Sequence, residues 1–182
     1  TEMPVLGLFA DDMMSYEIDR RPGSTQPTLR EMTQKAIDLL SATGEPFMLF
    51  IEGSRIDMAS HNNDAAAHVR EVIAFDKTVG EVLKFVDSRS DTLMISVSDH
   101  STGGITLGKN YPSPTGPEYP DPYVFCVSEL VPATMSMEIL SQRLINGPIS
   151  PMRDFVLQET GYNMSAAEEA SLVQWQQGRD YS

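Results

Sequence analysis

Phe47-Met48-Leu49-Phe50-Ile51 is a run of five apolar residues, and Glu52-Gly53-Ser54-Arg55-Ile56-Asp57 follows it directly. An unbroken apolar run led in by Pro46 predicts a short strand covered on both faces, as in a parallel sheet. A second run, Thr92-Leu93-Met94-Ile95-Ser96-Val97-Ser98, lies downstream and leads straight into Asp99-His100. Between the two, Ala65, Val69, Val72, Val79, Leu83 and Val86 recur at helical spacing. They predict a long helix from Asp64 to Val86. Strand, helix and strand in that order imply a right-handed crossover and a parallel pair. The fold class read from this order is α/β, a mostly parallel sheet flanked by helices. Each strand ends in a polar cluster, on the side of an open α/β sheet where ligands gather.

Working outward, Val5 to Phe9 reads as another short buried strand and residues 10–27 as a loop. Thr28 and Glu31 form a capping box, each able to bond a free amide of a first helical turn. The spacing of Leu29, Met32, Ala36, Ile37 and Leu40 then predicts a helix, with Gly44 as its stop. Residues 108–122 hold five prolines and two glycines, an irregular stretch. Tyr123 to Val127 reads as a strand and Met135 to Leu144 as an amphipathic helix. Ser150-Pro151 opens a short helix that ends near Gly161. Ser165 and Glu168 make a second capping box, opening a helix that Gly178 closes. No repeat or low-complexity segment interrupts the chain.

The 182 residues suit one domain or a piece of a larger one. Thirteen basic and 26 acidic residues give a net charge of −13. So acidic a surface repels a phosphate backbone and an anionic membrane, so neither nucleic acid nor such a membrane is an expected partner. No apolar run approaches the roughly 20 residues of a membrane span. Cys126 is the single cysteine, so no intrachain disulfide forms. The first residues carry no secretory signal pattern and no initiator Met, and the simplest reading is a segment of a longer protein.

Chemistry concentrates at Glu52, Asp57, His61, Asp99 and His100. Two carboxylates and two imidazoles at neighbouring strand ends are donors that Zn²⁺ takes. An oxygen-only donor such as Glu52 suits a harder ion such as Mg²⁺. The five side chains are expected to converge at one edge of the sheet. The structural alternative is that Asp57 and Asp99 cap loops and His61 packs on the helix. Asp76 falls inside the apolar stripe and is expected to brace the segment around residues 52–61. His68 reads as a solvated helix position.

Glu52-Gly-Ser-Arg-Ile-Asp57-x-x-x-His61, then Asn-Asp-Ala-Ala, Phe75-Asp76 and Ser98-Asp99-His100-Ser-Thr-Gly-Gly104, resembles the alkaline phosphatases. Met14 to Arg20 and Pro27 to Met32 are similar to the segment that precedes these motifs in that family. The resemblance covers residues 5–110, and its motifs occur in the family's order and spacing. The carboxyl third is more weakly similar. The resemblance implies part of a three-layer sandwich, a single partial domain over 1–182. Its ligand-bearing region would be 5–110, and 111–182 would be irregular and helical.

By the same resemblance, Asp57 and His61 match two ligands of a first zinc. Asp99 and His100 match two ligands of a second, and Glu52 a ligand of magnesium. The implied activity is phosphate monoester hydrolysis through a phosphoserine. The family's nucleophilic serine, in an Asp-Ser-Ala motif, has no counterpart here. Asp87-Ser88-Arg89-Ser90 follows the long helix at the wrong end of the sheet and reads as a solvent loop. Met58 stands where the family often has His or Lys, and a thioether supplies neither charge nor a donor. A homodimer in the full-length protein and an extracytoplasmic location are also implied. Other readings are a metal-dependent mutase or phosphodiesterase of the wider superfamily, or a truncated, non-catalytic metal-binding or structural module. The isolated chain, lacking the serine, is expected to be inactive.

Overall fold

The computed structural model describes residues 4–20, 22–103, 128, 130–146 and 151–178. Six α-helices follow in chain order: α1 (Leu29–Ser41), α2 (Ser54–His61), α3 (Ala65–Asp87), α4 (Met137–Asn146), α5 (Met152–Thr160) and α6 (Ala166–Gln177). A 3-10 turn, Glu17–Asp19, precedes them. Local chemistry accounts for the starts of α1, α3 and α6. Thr28 and Ser165 each close a reciprocal capping box, with Glu31 and Glu168 respectively. Asp64 caps α3 by accepting from the Ala67 amide at 2.9 Å. Gly161 leaves α5 at φ +75°, and a Cβ there would stand 2.6 Å from Pro132, so only glycine fits this close turn.

The helix α2 occupies a segment for which the sequence pattern predicts no helix. Gly53 serves as its N-cap and gives no side-chain bond, so no capping residue announces it. Gly53 matters by its lack of a side chain. A Cβ at this position would meet Phe75 Cδ2 of α3 at 2.8 Å, so its absence lets the start of α2 lie against α3.

The sheet and the three-layer sandwich expected from the sequence are not found among the described residues. Among the described residues no strand forms, and the architecture is helical. Residues 5–9, 47–51 and 92–98 are irregular segments without ladder partners. Their apolar character signals a need for cover, but a strand also requires a neighbour for its amides and carbonyls. Met48, Phe50, Leu93, Ile95 and Val97 are all more than four-fifths exposed. The strand expected at Tyr123 to Val127 lies outside the described residues.

Packing centres on α3, against which α1, α2 and the 17–19 turn all lie. Tyr16, Ala59 and Ala67 form its small core, with Ile18 and Met58 packed on it. The Arg55 guanidinium sits 3.5 Å from the centroid of the buried Tyr16 ring, and the Asn62 amide donates to the Tyr16 hydroxyl at 3.2 Å. Burial pushes the Tyr16 phenol up, and the Arg55 charge partly offsets it. Farther along, Met135, Leu140, Met152, Val156 and Met164 are buried.

Side chains join the carboxyl helices to this centre. Asp64 is 3% exposed, and its second oxygen accepts from the Met137 amide at 2.6 Å. Asp19 accepts from the Ser136 amide at 2.8 Å. Two carboxylates thus neutralise the amide-rich start of α4, as helix termini favour. Arg55 pairs with Glu138 at 3.1 Å, and Arg70 donates to the Ala133 carbonyl at 3.0 Å.

Candidate metal centre

Asp57 and His61 are one turn apart on α2, which puts both on one face. His61 Nε2 stands 3.4 Å from Asp57 Oδ2. Asp99 and His100 lie on the irregular segment beyond residue 98, and this segment passes close to α2. His100 Nε2 is 3.2 Å from Asp99 Oδ2 and 4.0 Å from Asp57 Oδ1. Four of the five residues singled out in the sequence therefore form a string, His61–Asp57–His100–Asp99. The string is open to solvent. Thr102 joins it, its hydroxyl donating to Asp57 Oδ1 at 2.6 Å.

Glu52 does not take part. It is exposed, and among the described residues no hydrogen bond or ion pair links it to the other four. Asp76 is also exposed rather than buried. The bracing expected of it falls instead to Asp64 and Asn62, which tie the α2–α3 connection to α4 and to Tyr16. His68 is half-buried on α3. Met58 faces the Tyr16 core, where its sulfur accepts from Arg55 Nη1 at 3.3 Å. Ser88 is the C-cap of α3, exposed and bonded to the Phe85 carbonyl at 2.7 Å, as a solvent loop requires. Beside it, Arg89 grips Asp91 through both carboxylate oxygens and holds that carboxyl down to about 2. Thr102 was missed as a site residue, although it sits within the quoted Asp-His-Ser-Thr-Gly-Gly motif. Only its place two residues past His100 marked it.

Imidazole nitrogens and carboxylate oxygens are donor types that zinc accepts. Neighbouring donors of a tetrahedral zinc shell stand roughly 3.3 Å apart, as bonds of about 2.0–2.1 Å require. The pairs His61–Asp57 and His100–Asp99 are spaced at 3.4 and 3.2 Å. Among the described residues no group of three or more His, Cys, Asp or Glu side chains is arranged to hold one ion. The arrangement is thus two donor pairs joined through Asp57, not a closed cage. An open groove of about 490 Å³ along α6, lined by Met164, Leu172 and Trp175 among others, shares no residue with it.

The sequence profile of the alkaline phosphatases matches residues 1–169. This chain belongs to the alkaline phosphatase family. It is 44% identical over 150 residues to an alkaline phosphatase of Schizosaccharomyces pombe, a match covering 80% of the chain and 27% of that protein. It is 38% identical over 170 residues to the repressible alkaline phosphatase of Saccharomyces cerevisiae, covering 86% of the chain and 29% of the relative. Among solved structures, a cold-active alkaline phosphatase from a psychrophilic Shewanella superposes with a TM-score of 0.76 at 29% identity. That match covers 94% of this chain and 39% of the other. The Thermus thermophilus alkaline phosphatase gives 0.74 at 35% identity, covering 91% and 34%. The chain thus spans under a third of the length of the two yeast relatives. No helix among the described residues is long and apolar enough to cross a membrane.

Proposed function

We propose that this chain is the ligand-bearing part of a metal-dependent phosphomonoester hydrolase. Asp57 and His61 serve one zinc, Asp99 and His100 a second, and Glu52 a magnesium. The observation that supports this most is the meeting of two motifs, far apart in sequence, on the Asp57 carboxylate. Bound zinc would supply Lewis acidity toward a phosphate monoester and lower the pKa of a bound oxygen nucleophile. The chain's own groups do the holding. Asp57 and His61 are fixed on one helical turn of α2. Asp99 and His100 approach from the opposite segment. The open face of the string leaves room for a phosphate to enter.

The serine nucleophile implied by the family is not among these residues, so we propose that hydrolysis needs segments beyond this chain. Ser54, Ser60, Ser98 and Ser101 are the hydroxyls nearest the two motifs, and those of Ser60 and Ser98 donate to the Ile56 and His100 carbonyls. The homodimer and the extracytoplasmic location implied by the family remain part of this proposal.

Release of p-nitrophenol from its phosphate ester at alkaline pH, with zinc and magnesium added, tests the reading. In the full-length protein, Asp57→Ala is expected to lower bound zinc and activity together. Full zinc content and full activity in that variant would defeat the reading. The 182-residue chain alone is expected to match its Asp57→Ala variant at the level of buffer. Robust turnover by the chain, lost in the variant, would place a nucleophile within it.

A further inference from the structure

The Thr102 hydroxyl bonds directly to a side-chain oxygen of the donor string. Its Oγ1 donates a 2.6 Å hydrogen bond to Asp57 Oδ1 across 45 residues of sequence. A carboxylate only accepts, so the hydroxyl must be the donor. At this length the bond is of the charge-assisted kind. The other oxygen, Oδ2, is the one that faces His61 Nε2 at 3.4 Å.

We propose that Thr102 is a positioning residue that sets Asp57 as a metal ligand, an inference that rests on the metal reading above. A carboxylate can present either oxygen, or both, to an ion. A fixed donor on Oδ1 removes that choice and leaves Oδ2 aligned with the His61 nitrogen. The same bond anchors the segment carrying Asp99 and His100 to α2. One hydroxyl thereby orients a ligand of the first pair and sets the distance to the second. The residue after it, Gly103, turns the backbone into the left-handed region at φ +80°, so the segment bends directly beyond the anchor. Partners of this kind, one bond removed from the ion, typically contribute roughly tenfold to a hundredfold in metal affinity.

The test is zinc affinity of the full-length protein, measured by competition with a chromophoric chelator, in four variants. Thr102→Val keeps the shape and deletes the hydroxyl, and Thr102→Ala deletes it without adding a methyl. Thr102→Ser keeps it. Both deletions are expected to weaken zinc binding by roughly tenfold to a hundredfold, and Thr102→Ser to stay within about threefold of wild type. Far-ultraviolet circular dichroism reports whether each variant retains its helices. Wild-type affinity in either folded deletion variant would overturn the proposal. So would an equal loss in Thr102→Ser, because the hydroxyl would then not be the cause. Asp57→Ala separates the two levels. If it too binds zinc like wild type, the metal reading fails and takes this inference with it. If Asp57→Ala loses zinc while the Thr102 deletions do not, only the role of Thr102 falls.

Discussion

Asp57 and Asp64 stand close in sequence, and their surroundings divide their work. Asp57 is open to solvent and faces two imidazoles. Asp64 is buried and uses both oxygens on backbone amides, one at the start of α3 and one at the start of α4. Removing it strands two amides, one of them in a buried setting. Asp64→Ala is therefore expected to cost about 3 kcal/mol, from a lost cap and a lost charged hydrogen bond. Urea unfolding checks this, and an unchanged midpoint would contradict it. Glu71 is a residue of another kind. Burial pushes its carboxyl up, and nearby Glu17 adds to this, while the Glu17 amide, Arg55 and Arg20 pull it down. A raised acid takes up its proton more readily in the folded than in the unfolded chain. Its contribution is thus fully present below the ordinary value and is lost as pH rises through the folded pKa. Glu71→Gln keeps a carbonyl acceptor for the Glu17 amide and removes the buried charge. The expected result is a higher melting temperature than wild type near pH 8, with the two converging near roughly pH 4. Equal melting temperatures at both would show that Glu71 titrates as it does in the unfolded chain.

At the scale of elements, the two capping boxes and the long helix α3 were legible because short-range chemistry writes them. Thr28 with Glu31, and Ser165 with Glu168, need only neighbours three residues away. The α2 helix was hidden because it has eight residues and a glycine cap, and tertiary contact with Phe75 secures it rather than local propensity. Asp57 and His61, matched by resemblance to ligands of one zinc, lie one turn apart on this helix. Convergence of Asp99 and His100 with Asp57 was expected from the motifs, whereas the bond from Thr102 was not, because no local pattern encodes a contact across 45 residues. Gly53→Ala probes the hidden element. The added methyl meets the Phe75 ring and Ile56 Cδ1, so either the ring or α2 must shift. A loss of about 1–3 kcal/mol is expected, as for other overpacked sites. Zinc binding should weaken with it, because Asp57 and His61 ride on α2. Unchanged thermal stability would mean that the Phe75 ring moves aside freely.

For the whole molecule, the apolar runs at 47–51 and 92–98 met the requirement for hydrophobicity but not for pairing, which is why the expected sheet is absent among the described residues. Leu93, Ile95 and Val97 alternate along one segment and are exposed together. Exposed apolar rows of this kind invite association, whereas a net charge of −13 opposes it. Salt screens the repulsion and leaves the apolar attraction. Light scattering of the 182-residue chain is therefore expected to rise with ionic strength, and Ile95→Lys to suppress the rise. A salt-independent monomer would contradict both. The anchoring of α4 also bears on the order of events in time. Its two carboxylate clamps, Asp19 on Ser136 and Asp64 on Met137, close spans of 117 and 73 residues. Closing a span costs entropy that grows with its logarithm, so α1, α2 and α3, close together along the chain, assemble ahead of it. The clamps are thus expected to engage after that centre, and the amides of Ser136 and Met137 should exchange with solvent before those of α3.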